Sequence, residues 1–312
     1  MKIDKNKLLK FRPAIGLILF SVVISFLNPQ FLTFSNILNV FRQTSINSII
    51  AAGMTFVILT GGIDLSVGSV LAFSGAICAS LIVAGASTFI AVTLALIVGI
   101  IVGGMTGVII SKGKVQPFIA TLVTMTVLRG ATLVFTDGKP ITLGSQVGVE
   151  LFSKLGNGYI AGIPIPIYIM FIVFALSYYI LTQTRLGRYV YALGGNEVTA
   201  KLSGISVEKI KVIVYALSGL LAALAGIILT SRLSSAQPNA GMGYELDAIA
   251  AVVLGGTSLA GGMGSVLGTI TGALIIGILN NALNILNVSS YYQMMVKGMV
   301  ILAAVLVDRK NK

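Results

Sequence analysis

Charged residues are scarce in this chain. Only 10% of its 312 residues are Asp, Glu, Lys or Arg, whereas 56% are hydrophobic. A soluble domain carries about 25% charged residues, so this chain lacks the polar residues that a water-facing surface needs. Apolar runs long enough to cross a bilayer recur along it, and the short alternating segments of a membrane barrel do not. The composition therefore predicts an all-α, polytopic membrane protein.

Histidine is absent, and Cys78 is the single cysteine. This excludes an intrachain disulfide and argues against a Cys/His metal site and against acid–base catalysis by histidine. No GxxxxGK[ST] phosphate loop occurs, so ATP is not bound in the P-loop manner. We expect no catalytic residue, metal or cofactor in this chain, and we expect Cys78 to be a small buried hydrophobic residue.

Acidic residues are rarer still, with nine in the whole chain. Ion-coupled transporters usually carry Asp, Glu or His in the middle of their spans. Here Asp64 interrupts an apolar run, and Glu245 and Asp247 stand at the head of another. This disfavours an ion-coupled secondary transporter, and uphill transport would need energy from another subunit.

The apolar runs predict ten transmembrane helices in a single domain over residues 1–312. The weakest is 247–262, because its uninterrupted apolar part is shorter than a bilayer-spanning helix and such segments are often broken or re-entrant; we predict a short crossing. The ten spans are 13–27, 37–59, 65–84, 88–110, 115–135, 163–182, 210–230, 247–262, 264–287 and 291–307.

Basic residues cluster between the spans, on one side of the membrane. The segments 1–12, 111–114, 183–211 and 308–312 hold 15 of the 21 Lys and Arg residues. Cytoplasmic loops carry such an excess, so both termini are predicted to be cytoplasmic. The net charge of +12 then reflects membrane topology, and no nucleic-acid partner is expected.

Glycine patterns predict close packing and an internal repeat. Two sets of glycines recur every fourth residue, which favours close helix contact over a ligand path. "ILTGGIDLSVGSVLAFSGA" (58–76) and "VLGGTSLAGGMGSVLGTITGA" (253–273) share a glycine pair, a polar break and GSVL. Such echoes indicate two pseudo-repeated halves with short or broken helices near the substrate route. The two glycine sets are Gly99, Gly103 and Gly107, and Gly264, Gly268 and Gly272.

The segment 183–211 predicts a short, capped helix on the cytoplasmic face. Asn196 is a candidate N-cap, Glu197 suits the positive helix end, and Gly204 is placed to end the helix. Ser206 would cap the next span. Such a helix could contact a partner subunit, or it could rest on the membrane surface.

Polar residues inside the spans are mostly amides and hydroxyls. Asn47, Asn280, Asn284 and Gln293 are candidates for a translocation path, because they could hydrogen-bond a passing neutral polyol. They could equally hold the helices together. Lys297, in the last span, must either extend to the interface or find a partner.

Glu245 and Asp247 are predicted to lie at the periplasmic rim. At a wet rim a carboxylate avoids most of the ~2.5–3.5 kcal/mol that a mid-membrane charge costs. They could stabilise a helix start, or they could contact basic residues of a docking protein.

Several segments resemble bacterial ABC sugar-importer permeases. Residues 196–308 are similar to the C-terminal half of that family, and "AAGMTFVILTGGIDLSVGS" (51–69) resembles its N-terminal half. "YELDAIAAVVLGGTSLAGG" (244–262) is specific to the family. "SSAQPNAG" (234–241) and "SSYYQMMVKG" (289–298) favour ribose over arabinose, galactose or xylose.

The resemblance implies a homodimeric permease in the bacterial inner membrane, surrounded by lipid. Two cytoplasmic ABC ATPase modules would dock on 183–211, and a periplasmic sugar-binding protein would deliver ribose. Alternatives are import of another monosaccharide or of a furanosyl signal molecule, and a passive channel for small neutral solutes. The family's coupling motif, Glu-Ala-Ala…Gly, is matched loosely, with Thr199 where one alanine is expected. The candidate coupling residues are Asn196, Glu197, Ala200, Gly204 and Ile205.

Overall fold

The computed structural model describes residues 18, 21–26, 28–144 and 149–310. The predicted first span, 13–27, lies largely outside these residues, although its part at 21–26 is helical. The basic segment 1–12 also lies outside them.

The described chain is built from helices, with two minimal strand pairs. Strand β1 (Ile141–Thr142) pairs antiparallel with β4 (Ser235–Ala236), and β2 (Tyr159–Ile160) pairs antiparallel with β3 (Ile163–Pro164). A 3₁₀ turn at Pro29–Leu32 precedes the first long helix. The α-helices are α1 (Phe34–Leu59), α2 (Val67–Val83), α3 (Thr88–Ser111), α4 (Pro117–Phe135), α5 (Val149–Asn157), α6 (Ile165–Gln183), α7 (Arg185–Gly195), α8 (Glu197–Leu202), α9 (Val207–Leu233), α10 (Tyr244–Leu254), α11 (Val266–Ile285) and α12 (Ser290–Lys310).

Local capping explains where several of these helices begin. The side chains of Thr33, Ser87 and Ser265 accept hydrogen bonds from backbone N–H groups in the first turns of α1, α3 and α11. Such caps satisfy donors that have no partner within the helix. α4 begins at Pro117, whose missing N–H costs nothing in the first turn.

Five described helices are long and apolar enough to cross a membrane: α3, α4, α6, α9 and α11. They confirm the predicted spans 88–110, 115–135, 163–182, 210–230 and 264–287, and the all-α, polytopic fold is confirmed with them. α1 is longer than four of these five, with 26 residues, but polar residues in its first half lower its hydropathy. Three of those residues, Gln43, Thr44 and Asn47, line the site described below.

α9 lies at the centre of the fold. In the most apolar 18-residue stretch of α9, 67% of the residues are buried, whereas the same fraction is 28% for α3 and 22% for α4. α3 and α4 therefore present wide apolar faces outward. Gly99 and Gly103 place α3 directly against the α9 backbone at Gly219 and Tyr215. The predicted close packing of this glycine stripe is confirmed.

The second glycine stripe is confirmed in part. Gly272 brings α11 against the backbone of Ala251 in α10, and Gly268 brings it against Gly255, the residue that follows α10. Gly264 does not belong to this face, because α11 begins at Val266. The four-residue repeat of glycines wrongly placed Gly264 inside α11, whereas Ser265 is the residue that caps the start of this helix.

The segment 247–262 is not one continuous helix. α10 has 11 residues, which span about 16 Å at roughly 1.5 Å per residue and cannot cross a ~30 Å hydrocarbon core. The irregular backbone that follows is called here the second break (residues 255–265), and four of its glycines adopt positive φ: Gly256, Gly261, Gly262 and Gly264. The predicted short crossing is corrected to a half-length helix followed by a turn-rich segment.

The two Gly-rich motifs do interrupt helices, as predicted. The first break (residues 60–66) separates α1 from α2, in the same way that the second break separates α10 from α11. The two breaks also meet, because the Gly262 N–H donates to the Leu59 carbonyl at 3.0 Å. The chain therefore places both interruptions at one end of α1.

Candidate functional site

A polar cavity of about 220 Å³ lies among α1, α10, α11 and α12. All four predicted path residues, Asn47, Asn280, Asn284 and Gln293, line it. They come from three helices that are far apart in the sequence, so the fold has gathered polar groups from separate apolar segments. Further polar side chains at this cavity are Gln43, Thr44, Arg232, Tyr244, Asp247 and Lys297.

Asp247 and Lys297 form an ion pair in this cavity. Lys297 Nζ lies 3.0 Å from Asp247 Oδ2, and the side chains are 28% and 4% exposed respectively. Asn47 Nδ2 donates to the same oxygen at 3.2 Å. A buried charge requires such pairing. Asp247 is therefore not a wet rim residue, which corrects that prediction, and Lys297 has found a partner inside the fold.

The four predicted path residues divide into two groups. Gln293 Nε2 donates to Asn284 Oδ1 and to the Val288 carbonyl, both at 2.9 Å, so these amides join the ends of α11 and α12. Asn47 Oδ1 and Asn280 Oδ1 are buried and accept no hydrogen bond from the described residues. Asn284 and Gln293 therefore hold helices together, which is the structural alternative left open by the sequence. Asn47 and Asn280 each have an oxygen that is free to accept a hydrogen bond from a ligand.

Glu245 lies beside the start of α10, outside the Asp247 pair. Its Oε1 accepts a hydrogen bond from the Gly243 N–H at 3.2 Å, a contact of the kind expected of an acid that stabilises a helix start. The side chain is partly buried. Contact with a docking protein stays a prediction for this residue.

Asp64 fixes the first break. Its Oδ1 accepts hydrogen bonds from the Ser66 N–H at 3.0 Å and from Ser66 Oγ at 2.6 Å, and its Oδ2 accepts one from Ser218 Oγ on α9 at 2.8 Å. The Tyr215 hydroxyl donates to the neighbouring Ile63 carbonyl at 3.3 Å. Two residues of the central helix therefore hold the interruption between α1 and α2.

The segment 183–211 contains the predicted capped helix, α8. Asn196 Oδ1 accepts from the Thr199 N–H at 2.9 Å, which confirms the N-cap. Gly204 has φ +82°, and the Ile205 N–H donates to the Ala200 carbonyl at 3.1 Å. This left-handed glycine ends the helix as predicted. The side chain of Ser206 makes no capping bond, so the second predicted cap is wrong.

α8 is bound to the fold on one side and exposed on the other. Lys211 Nζ contacts both Glu197 oxygens, at 2.8 and 2.9 Å, and Ala200 is buried. Val198 and Leu202 are 69% and 84% exposed. This short helix therefore presents apolar side chains outward from a fixed position.

The segment 183–211 also contacts the second break and the end of α1 next to the first break. Gly194, near the end of α7, lies against the backbone of Leu59 and Gly262, and the Tyr191 hydroxyl donates to the Gly264 carbonyl at 3.0 Å. α10 runs from the second break to the cavity. A continuous series of contacts thus joins α8 to Asp247.

Replacing Asn196 with alanine is expected to lower the free energy of unfolding by about 1 kcal/mol, because the Thr199 N–H loses its acceptor. The measurement is thermal unfolding of the detergent-purified protein, with exchange of the α8 amides followed by mass spectrometry. Asn196→Asp retains the acceptor and should stay near the wild type. Equal behaviour of both variants would contradict the capping role.

The sequence matches one family model over residues 36–305: "Branched-chain amino acid transport system / permease component". The match covers most of the chain and includes the cavity, both breaks and α8. The chain belongs to this permease family. The sequence motifs had indicated a permease of this kind, and that prediction is confirmed.

Relatives of this permease extend over nearly its whole length. The ribose import permease protein of Haemophilus influenzae is 62% identical over 96% of this chain and 93% of its own length. The ribose import permease protein of Escherichia coli K12 is 58% identical over 99% of this chain and 96% of its own length. That of Bacillus subtilis 168 is 58% identical over 97% of this chain and 93% of its own length. No solved structure matches the chain.

The charged residues inside the spans of this permease were largely missed from the sequence. Arg129 Nη1, in α4, donates to the Pro238 and Ala240 carbonyls at 2.7 and 2.9 Å, and so holds the loop before α10. Arg232 lines the cavity. The available signal was an arginine within an apolar run, which needs a partner inside the protein.

Proposed function

We propose that this chain is the transmembrane permease subunit of an ATP-driven, binding-protein-dependent importer that translocates ribose across the bacterial inner membrane. The observation that carries the proposal is 58–62% identity to ribose import permeases over more than nine-tenths of each chain. ATP hydrolysis belongs to a separate polypeptide, because the sequence has no phosphate loop.

The proposed assembly has two copies of this chain, two cytoplasmic ABC ATPases and one periplasmic sugar-binding protein, within membrane lipid. Both termini are cytoplasmic in this arrangement, which the distribution of Lys and Arg supports. The exposed Val198 and Leu202 of α8 support this helix as the ATPase contact. The position of α8 is fixed by Glu197, Ala200 and Gly204. Its two ends are fixed by Asn196 and Ile205.

The proposed translocation path includes the polar cavity and its residues Asn47, Asn280, Asn284 and Gln293. Movement of an ATPase at α8 would act on the second break through Gly194, and α10 would carry that movement to the cavity. Such a short helix between two turns can shift as a rigid unit without unfolding a span. Glu245, in the first turn of that helix, is assigned to the periplasmic side, where it could also contact the binding protein.

Reconstitution tests this function. Proteoliposomes that contain the permease, the ATPase and the binding protein purified with it should accumulate labelled ribose only with ATP inside and binding protein outside. Arabinose, galactose and xylose in excess should compete poorly. Permease that moved ribose uphill without the ATPase, or a complex that preferred another sugar, would contradict the proposal.

Replacing Gly204 with alanine is expected to reduce ribose uptake per ATP hydrolysed by roughly tenfold, because a Cβ at positive φ costs about 1–2 kcal/mol and moves the end of α8. Uptake and phosphate release are measured on the same proteoliposomes. Gly138→Ala is the matched control, since Gly138 also has positive φ (+66°) and open space around it. Equal coupling ratios for the two variants would contradict the role of α8.

A further inference from the structure

The polar cavity has several free hydrogen-bond acceptors. Thr44 Oγ1, Asn47 Oδ1 and Asn280 Oδ1 are buried and have no partner among the described residues. Thr44 is only 4% exposed. Buried polar atoms in proteins almost always have a partner. Their concentration at one cavity indicates a site built for hydrogen bonds to a ligand or to water.

Asp247 adds a further acceptor. Its Oδ2 accepts from both Asn47 and Lys297, so these two bonds share one carboxylate oxygen and neither uses Oδ1. The bond to Asp247 also fixes the Asn47 amide, so that Asn47 Oδ1 is the oxygen left free. Hydrogen bonds to an ionised carboxylate are roughly twice as strong as neutral ones.

This set of atoms defines the chemistry of the ligand. The free atoms are mainly acceptors, so a ligand must offer several O–H or N–H donors in a small volume. Arg232, Lys297 and Asp247 together give the lining a net charge of +1, which would attract an anion. A phosphate dianion, however, offers only acceptor oxygens, which cannot hydrogen-bond to the free acceptor atoms. A neutral polyol supplies a donor and an acceptor at each hydroxyl.

The size of the cavity fits one small polyol. Its volume of about 220 Å³ lies below the ~300–1,000 Å³ of pockets for drug-sized ligands and far above the ~30 Å³ share of one water. Gly277 lets α11 pack closely against Thr44 beside the cavity, because a Cβ there would collide with the Thr44 side chain.

We propose that this cavity is a binding subsite for one neutral monosaccharide within the membrane part of the permease. Asp247 Oδ1, Asn47 Oδ1 and Thr44 Oγ1 accept hydrogen bonds from the sugar hydroxyls, and Lys297 holds the Asp247 carboxylate in place. The inference rests on the proposed function for the identity of the sugar, and it adds that the path holds a specific site.

The test is direct binding of ribose to the isolated permease in lipid nanodiscs, by saturation-transfer NMR without ATPase or binding protein. Wild type should bind ribose with a dissociation constant of roughly a millimolar, and Asp247→Asn should bind about tenfold more weakly or worse. Asp137→Asn is the matched control, because Asp137 pairs with Lys139 on an exposed loop; it should bind as wild type does.

A charge exchange separates binding from folding. Asp247→Lys with Lys297→Asp retains an ion pair between α10 and α12 but moves the carboxylate to the other helix. The double variant is expected to unfold near the wild-type temperature and to lose ribose binding by about tenfold. Wild-type affinity in this variant would show that the pair is only structural and would overturn the subsite.

Three further outcomes complete the test. Stronger binding of ribose 5-phosphate than of ribose would overturn the assignment of a neutral sugar. If the full complex imports ribose while the isolated permease does not bind it, the subsite is overturned and the proposed function stands. If the permease binds ribose but the complex does not import it, the proposed function alone is overturned.

Discussion

Replacing Lys297 with methionine is expected to lower the free energy of unfolding by about 3–5 kcal/mol, because it leaves a buried carboxylate without its charge partner. Asp247 is 4% exposed, so bulk water is a poor replacement for the ammonium group. Methionine retains much of the lysine side chain's volume, so the effect reports on charge more than on packing. The measurement is thermal and SDS-induced unfolding of the purified permease.

Two controls define this result. Lys297→Met combined with Asp247→Asn removes both charges and should recover most of the lost stability. Lys154→Met removes the exposed pair with Glu150 and should cost less than about 1 kcal/mol. If Lys297→Met were as stable as Lys154→Met, the ion pair would not contribute to the stability of the membrane domain.

The sequence could predict which residues belong to the membrane, because apolar runs and basic loops depend only on local composition. It could not predict that Asp247 and Lys297 meet, since they lie 50 residues apart on α10 and α12. Placing Asp247 at a wet rim was reasonable for a carboxylate at the head of an apolar run. The ion pair, which only the fold supplies, lets the residue be buried instead.

The length of α10 was harder to predict from the sequence than its apolar character. The apolar residues of 247–262 suggested a short crossing, but the chain leaves the helix at Leu254, and the next glycines adopt conformations that other residues rarely do. Whether such glycines sit in a helix or form a turn depends on what they contact. Here Gly261 and Gly262 lie against Gly194 and Gly195, a contact that no local pattern predicts.

The capped helix α8 was predictable for the opposite reason. An N-cap and a left-handed glycine act on residues within about four positions, so Asn196 and Gly204 could be recognised from spacing alone. α7 was missed, and with it the contact of Gly194 with Leu59 at the end of α1 and with Gly262 in the second break. That contact brings together residues from three distant parts of the chain.

Replacing Gly103 with alanine is expected to lower the free energy of unfolding by about 3 kcal/mol, at the upper end of the usual cost of overpacking. A Cβ at Gly103 would meet the backbone at Tyr215 and Ala216 in α9, and backbone atoms cannot rotate aside as a side chain can. α3 and α9 would separate, which would also disturb the hydrogen bond from Tyr215 to Ile63 in the first break. Unfolding and ribose uptake are the measurements.

Gly104→Ala is the matched control, one residue further along the same helix. A Cβ at Gly104 comes no closer than 3.9 Å to its nearest neighbour, the Ala216 Cβ, so no atom has to move. Alanine favours a helix over glycine by up to about 1 kcal/mol, and this variant should be as stable as wild type or slightly more so. The same methyl group is therefore expected to have opposite effects at adjacent positions, and similar stability of the two variants would show that α3 and α9 are not held together by this close contact.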